Sequence, residues 1–332
     1  MPSEAARLRD ATSGPSRVHS LTIAPGVDPV QGAASWDAGR SLWNGGMMLA
    51  SLVLGPLFFS WSAFCVFLSL LLVTMCTGHS VGLHRRLIHR TFQCNKGVER
   101  ALVWSGTLVG MHGPFWVMRS HDIRDWAQRQ PDCHPFLKHA GGFLRDGWWN
   151  LHCKLALAHP PAFDPGPGIG DDWFYRFLQK TWMWQQAPLA LVLYLLGGWP
   201  WVVRGVCVRV TVGVTAHWAV GYLCHTKGPQ NCLVDDGAVQ AHDVPWAAIL
   251  SMGESWHNNH HAFPASARHG IMKGQLDLGF HFVQAQERLC VAWDVQTPEM
   301  LPRRTGITPL SDEARTLLTS MRPPAATPQA AE

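Results

Sequence analysis

MMLASLVLGPLFFSWSAFCVFLSLLLVTMC, residues 47–76, runs its whole length without a charged residue. At 1.5 Å per residue it would reach about 45 Å as one helix, too long for a single crossing of a roughly 30 Å hydrocarbon core. Gly55-Pro56 lies inside it and reads as a turn. The stretch therefore predicts a hairpin of two spans, at about 44–60 and 62–82. A second apolar block, about Ala187 to Leu223, carries only Arg204 and Arg209 and is interrupted by Gly197-Gly198-Trp199-Pro200-Trp201. It predicts a second hairpin, with spans at about 187–203 and 204–224. The expected fold class is an all-α integral membrane protein, with four transmembrane helices in two hairpins and a cytosolic, helical, His-rich cap.

The rest of the composition agrees. Charged residues make up 15%, against about 25% in soluble domains. The chain has 17 Trp and 3 Tyr, and Trp favours membrane–water interfaces. The net charge of +4 comes without a Lys/Arg run, which argues against nucleic acid as a partner. Nine scattered Cys form no CxxC pair, so reduced thiols are expected. Residues 1–42 show no periodicity and no apolar signal region, and are expected to be a flexible cytosolic segment. Residues 43–296 are the expected membrane domain and 297–332 a C-terminal tail, disordered from about Met321. Arg85, Arg86, Arg90, Lys96 and Arg100 follow the first hairpin, while its inner loop is uncharged. The positive-inside rule then puts both termini and the region between the hairpins in the cytoplasm. Ala101 to Val117 reads as a buried or re-entrant segment, and residues 276–291 as an amphipathic helix on the membrane surface.

Eighteen His in so apolar a chain need an explanation. HRRLIH, residues 84–89, begins where the first hairpin ends. GESWHNNHHAFP, residues 253–264, follows the second, His121 lies between them, and His225 stands at the end of the fourth span. All are expected at one membrane face. On a helix His257 and His261 lie about 40° apart and His260 about 60° to the other side, so three imidazoles share a face. Neutral imidazoles in such a set suit iron, zinc or copper. His84 and His89 fit less well, about 140° apart on an ideal helix, and share a site only if the helix frays or ends between them.

HRRLIHRTF at 84–92, WVMRSH at 116–121 and GESWHNNHHAFP at 253–264 resemble the three His boxes of membrane acyl-CoA and acyl-lipid desaturases, in order and spacing. TAHW at 215–218, read on through His225, resembles that family's segment bearing a further ligand. The resemblance implies His84, His89, His121, His225, His257, His260 and His261 as ligands, with a pair of iron atoms as cofactor and O2 as oxidant. It also implies a fatty-acyl substrate on CoA, carrier protein or lipid ester. Electrons would come from a separate ferredoxin-, rubredoxin- or cytochrome b5-like protein, since the chain shows no dinucleotide-binding glycine fingerprint. A bacterial inner membrane is the implied location.

One box departs from the pattern. The family reads HRxHH where this chain has His121-Asp122-Ile123-Arg124-Asp125, so two imidazoles are replaced by Arg124 and Asp125. Gly221 stands where the family has a water-holding Asn. Asp122, Asp125, His134, His139 or His217 are the candidates to substitute. Glu254, Asn258 and Asn259 are expected to orient ligand rings. His79 and His112 read as core histidines, and His152, His159, His242 and His269 as loop or supporting positions. The expected activity is O2- and iron-dependent desaturation of a fatty-acyl chain. Hydroxylation, alkyne formation, or a catalytically degenerate lipid- or metal-binding membrane protein are the alternatives.

Overall fold

The computed structural model describes residues 16–18 and 20–323. Its helices are α1 (Ala38–Leu57), α2 (Trp61–Val73), α3 (Lys96–Leu108), α4 (Pro114–Gln128), α5 (Phe143–His152), α6 (Trp173–Thr181), α7 (Gln186–Val202), α8 (Arg209–Cys224), α9 (His257–Ala262), α10 (Leu278–Arg288) and α11 (Asp312–Ser320). Two helical stretches are long and apolar enough to cross a membrane, Trp61–Ile88 and Gln186–Cys224. Trp61 and Leu195 on these stretches, and Leu52 on α1, are 73–74% exposed, which is the outward face expected of a protein solvated by lipid.

Asp37 starts α1 by accepting the Arg40 N–H at 3.1 Å. The turn expected at Gly55-Pro56 does not form there. The helix runs through Pro56 to Leu57, and Ser60 caps α2 by accepting the Ala63 N–H at 3.2 Å. Pro56 lacks the N–H that would bond four residues back, but it lies in the final turn, so only Leu57 continues the helix past it. Arg204 meanwhile donates to the Gly55 carbonyl at 2.9 Å, satisfying a carbonyl near the helix end.

α2 passes without a break into a π-helix, Thr74–Ile88. Gly78 and Gly82 press this segment onto α3. A Cβ on Gly78 would lie 2.5 Å from the Gly106 nitrogen, and one on Gly82 2.5 Å from the Leu102 carbonyl oxygen. The second apolar block kinks at Gly198, whose φ of +65° only glycine takes easily. Beyond the kink Gly205 lies against Leu193, so the chain folds back on itself. A short π segment, Val203–Val208, then leads into α8. The stretch Ala101 to Val117 is divided between α3 and the start of α4, with Val103, Val109 and Met111 in the main core.

Both ends of the described chain are more structured than their composition suggests. Residues 1–42 were expected to be flexible, yet they contain β1 (Ser16–Val18), β2 (Leu21–Ile23) and β3 (Asp28–Trp36), and α1 begins at Ala38. With β4 (Gln93–Cys94), β5 (Cys153–His159) and β6 (Ala162–Phe163) defined, β2 pairs antiparallel with β6 and β3 with β5. Leu21 is fully buried beside Trp126, Phe136 and Leu137, so long-range pairing and burial order what local composition would not. Residues 1–15 lie outside the described chain. The tail from 297 likewise holds a strand and a helix. After β7 (Cys232–Val234) and β8 (Ala292–Trp293), β9 (Ile307–Pro309) pairs with β7. α11 and Met321 pack Ala314, Leu318 and Met321 against Ala262 and Phe263, immediately after the His-rich α9. Disorder was expected from Met321, but that residue is buried; residues 324–332 lie outside the description.

Candidate metal centre

The π-helix resolves the spacing of the first His pair. In a π-helix each N–H bonds five residues back, and the His89 N–H donates to the His84 carbonyl at 3.0 Å. Residues five apart therefore stack on one face, and the two Nε2 atoms lie 3.2 Å apart. The π-helix ends at Ile88 with His89 as its cap, so the helix end expected between the two falls at the last position before His89. α4, started by Pro114 in its first turn, brings His121 Nε2 to 3.2 Å from His84 Nε2. α9 supplies His260, its ring centroid 4.5 Å from that of His84 and 4.6 Å from that of His89. These four imidazoles each offer a nitrogen to one small space, all within 4.8 Å of one another.

His260 carries the strongest sign of what that space is for. It is 1% exposed, and neither ring nitrogen has a hydrogen-bond partner among the described residues. A buried polar group without a partner is costly, and a cation among four neutral nitrogens removes that cost. The donor set fits a transition metal.

A second group lies beside it. His225 ends α8, and its Nδ1 donates to the Gly221 carbonyl at 2.7 Å, which leaves the lone pair on Nε2. His257 and His261 on α9 bring their Nε2 atoms within 3.1 Å of each other, and with His225 they form a second set within 4.8 Å. α9 thus faces both groups at once, with His257 and His260 ring centroids 5.6 Å apart.

Burial favours the neutral form of most of these rings. Burial pushes the His257 imidazole down to about 3 and His261 to about 4, the latter against the opposing charge of Asp125. Burial and neighbouring imidazoles hold His260 and His225 well below the usual range. His121 goes the other way. Burial lowers it, but its hydrogen bond to Asp122 and the charge of Asp125 outweigh that and raise it.

Supporting contacts come from distant parts of the chain. Asp122 lies 3.3 Å from His121 Nδ1 and accepts from both the backbone and the hydroxyl of Ser20, so the residue just before β2 reaches the site through this carboxylate. Glu254 Oε2 lies 2.5 Å from His84 Nδ1. Its other oxygen meets Arg85 at 2.5 Å and Ser80 Oγ at 2.6 Å. Burial pushes the Glu254 carboxyl up, but Arg85 and nearby imidazoles more than reverse this and hold it low. Arg85 is fully buried and pairs also with Asp277 at 2.9 Å. Glu254 and His269 could form a third metal-sized group with His84, but the Arg85 guanidinium already contacts both Glu254 and His269. A second cation there would meet its charge.

Asn258 and Asn259 brace α9 and touch no ligand ring through the bonds described. The Asn258 side chain accepts from the Asn231 and Cys232 N–H groups and donates to the Cys232 and Ala241 carbonyls. That of Asn259 donates to the His269 carbonyl and Gln275. Asp243 accepts the Asn258 N–H at 3.0 Å, at the start of α9.

The substitute candidates separate. Asp125 stands between the groups, with Oδ1 3.7 Å from His261 Nε2 and Oδ2 3.2 Å from Arg129. Burial raises its carboxyl, but Arg129, His261 and His121 outweigh that and hold it well below the usual carboxylate range. Asp122 is engaged with His121. His134 sits in a loop, its Nδ1 accepting the Phe136 N–H at 3.1 Å, and His217 packs on His79 at 4.4 Å; neither belongs to either group. Arg124 donates to Asn150 at 2.7 Å. Arg85, Asp277, Ser20 and the burial of His269 were not anticipated. Arg85 stood among residues read as interfacial flanks, and Ser20 and Asp277 are brought in by contacts across 102 and 192 positions.

Comparison with known proteins agrees with this geometry. The model of the fatty acid desaturase family matches residues 59–273. The chain is 36% identical over 265 residues to an sn-1 stearoyl-lipid 9-desaturase of Anabaena variabilis, covering 76% of this chain and 93% of that protein. It is 32% identical over 250 residues to an acyl-CoA 5-desaturase of Anemone leveillei, covering 75% and 76%. A palmitoyl-monogalactosyldiacylglycerol delta-7 desaturase of Arabidopsis thaliana is 33% identical, with 76% and 67% covered. The chain belongs to the fatty acid desaturase family.

Proposed function

We propose that this chain is an integral-membrane, two-iron desaturase that places a C=C bond in a fatty-acyl chain. The observation that carries the reading is the pair of adjoining imidazole groups joined by α9. His84, His89, His121 and His260 would hold one iron, and His225, His257 and His261 the other. Bound iron supplies, with O2, an oxidant strong enough to remove hydrogen from an unactivated methylene, which no side chain can do.

The residues of the chain do the rest. Neutral imidazoles present lone pairs without proton loss at neutral pH. Glu254 and Asp122 orient His84 and His121 through their Nδ1 atoms, and the Gly221 carbonyl orients His225. Burial of the cluster excludes water from the reacting carbons. The reaction balances as two hydrogens from adjacent methylenes, one O2, two electrons and two protons giving the alkene and two waters. The electrons come from a separate ferredoxin-, rubredoxin- or cytochrome b5-like carrier. The acyl group is carried as a lipid ester or CoA thioester, the forms named for the relatives.

Four spans in two hairpins, with both termini and the His-bearing cap on the cytoplasmic side of a bacterial inner membrane, put the iron ligands at one membrane face. Support comes from the apolar outward faces of α1, α2 and α7 and from the fold-back at Gly198. Fatty-acid profiling of host cells expressing the chain tests the proposal. A new unsaturated species is expected, absent with His260→Ala. A hydroxylated or alkynyl product would redirect the reaction type. Unchanged lipids with a metal-free protein would contradict it.

A further inference from the structure

The second imidazole group has one donor fewer than the first. The positions where the desaturase pattern would supply more imidazoles hold Arg124, turned to Asn150 at 2.7 Å, and Asp125, paired with Arg129 at 3.2 Å. One histidine that neither group includes stands directly against it. His139, in the loop between α4 and α5, is 3% exposed, and its ring stacks on His225 with centroids 4.9 Å apart and planes 16° apart. Its φ of +55° lies in the left-handed region, which is sparsely used by residues other than glycine.

The two nitrogens of this ring are placed differently. Nδ1 lies 3.0 Å from both oxygens of Asp146, so its proton is donated to that carboxylate. Asp146 is itself fully buried and fixed by Trp218 Nε1 at 2.8 Å and Asn150 Nδ2 at 3.1 Å. That assigns the lone pair to Nε2, which is buried with no hydrogen-bond partner among the described residues. An imidazole tied through one nitrogen to a carboxylate, its other nitrogen unsatisfied, is how metal-ligating histidines are ordinarily held. A histidine that only filled space would have no need of a locked tautomer.

We propose that His139 supplies the fourth donor, through Nε2, to the metal held by His225, His257 and His261, with Asp146 as its positioning residue. The inference rests on the reading of those three residues as a metal site. His139 lies outside the set whose donors fall within 4.8 Å, so its ring closes toward His225 when the metal binds. The proposal names a replacement for the imidazoles lost at positions 124 and 125, from a residue outside the recognised His boxes.

The test uses the full chain in detergent, loaded anaerobically with iron(II), dialysed against a weak chelator, and analysed for metal per chain and by Mössbauer spectroscopy. Wild type is expected to keep two irons in two distinguishable environments. His139→Gln should keep one, with the signal of the four-imidazole site unchanged; that retained iron also shows that the variant folds. Asp146→Asn should bind both, with the second weakened about 10–100-fold. Two irons at wild-type affinity and an unchanged spectrum in His139→Gln would overturn the proposal. So would loss of the second iron in Asp125→Ala alone, which would assign the donor to the carboxylate. Fewer than two irons in wild type would instead remove the underlying metal-site reading.

Discussion

His260 and Arg85 show two ways in which a buried polar residue can be accommodated. His260 has no hydrogen-bond partner for either nitrogen among the described residues, so its place in the core points to something that binds there. His260→Ala should lower iron in the first group and reduce desaturated product by on the order of 100-fold, as read by metal analysis and lipid profiling. Arg85 is fully buried but neutralised on two sides by Glu254 and Asp277. Arg85→Met leaves both carboxylates buried without their cation. Urea or thermal unfolding in detergent should show a loss of about 3–5 kcal/mol. A loss below 1 kcal/mol would mean that the carboxylates find water instead.

At the scale of elements, the π-helix from Thr74 to Ile88 decides whether the first His pair can work. Its close approach to α3 depends on Gly78 and Gly82, where an added Cβ would meet backbone atoms at 2.5 Å. Gly78→Ala should therefore destabilise the protein by about 1–3 kcal/mol. It should also lower iron content, because His84 and His89 move with the helix. A change in stability without any change in iron would separate packing from the site. α9 is held at its start by Asp243, which accepts the Asn258 N–H. Asp243→Ala should cost about 1–3 kcal/mol and loosen His257, His260 and His261 together. The two His elements differ in how far they could be read from sequence. The spacing of His257, His260 and His261 matches an ordinary α-helix, so their common face was legible. The five-residue spacing of His84 and His89 matches only a π-helix, and that geometry coincides with contacts to α3 that no local pattern reveals.

For the whole molecule, apolar blocks were enough to read two stretches able to cross a membrane, with the histidines between and after them. The fold-back at Gly198 lies within the interruption recognised from residues 197–201, while the first turn falls after Leu57, past Pro56. The chain ends were misread because β3 is rich in Gly and Ala and half exposed. Its order comes from β5, more than a hundred residues away, and α11 is ordered by packing beneath α9. Ser20, on the N-terminal segment, bonds Asp122 beside His121, so that end supports the site as well as the fold. The central claim is that two neighbouring imidazole groups each hold an iron. Iron quantified per purified chain, for wild type beside His225→Ala, tests it most directly. Two irons falling to one are expected; a wild-type chain that takes up no iron, or a variant that still holds two, would contradict the account.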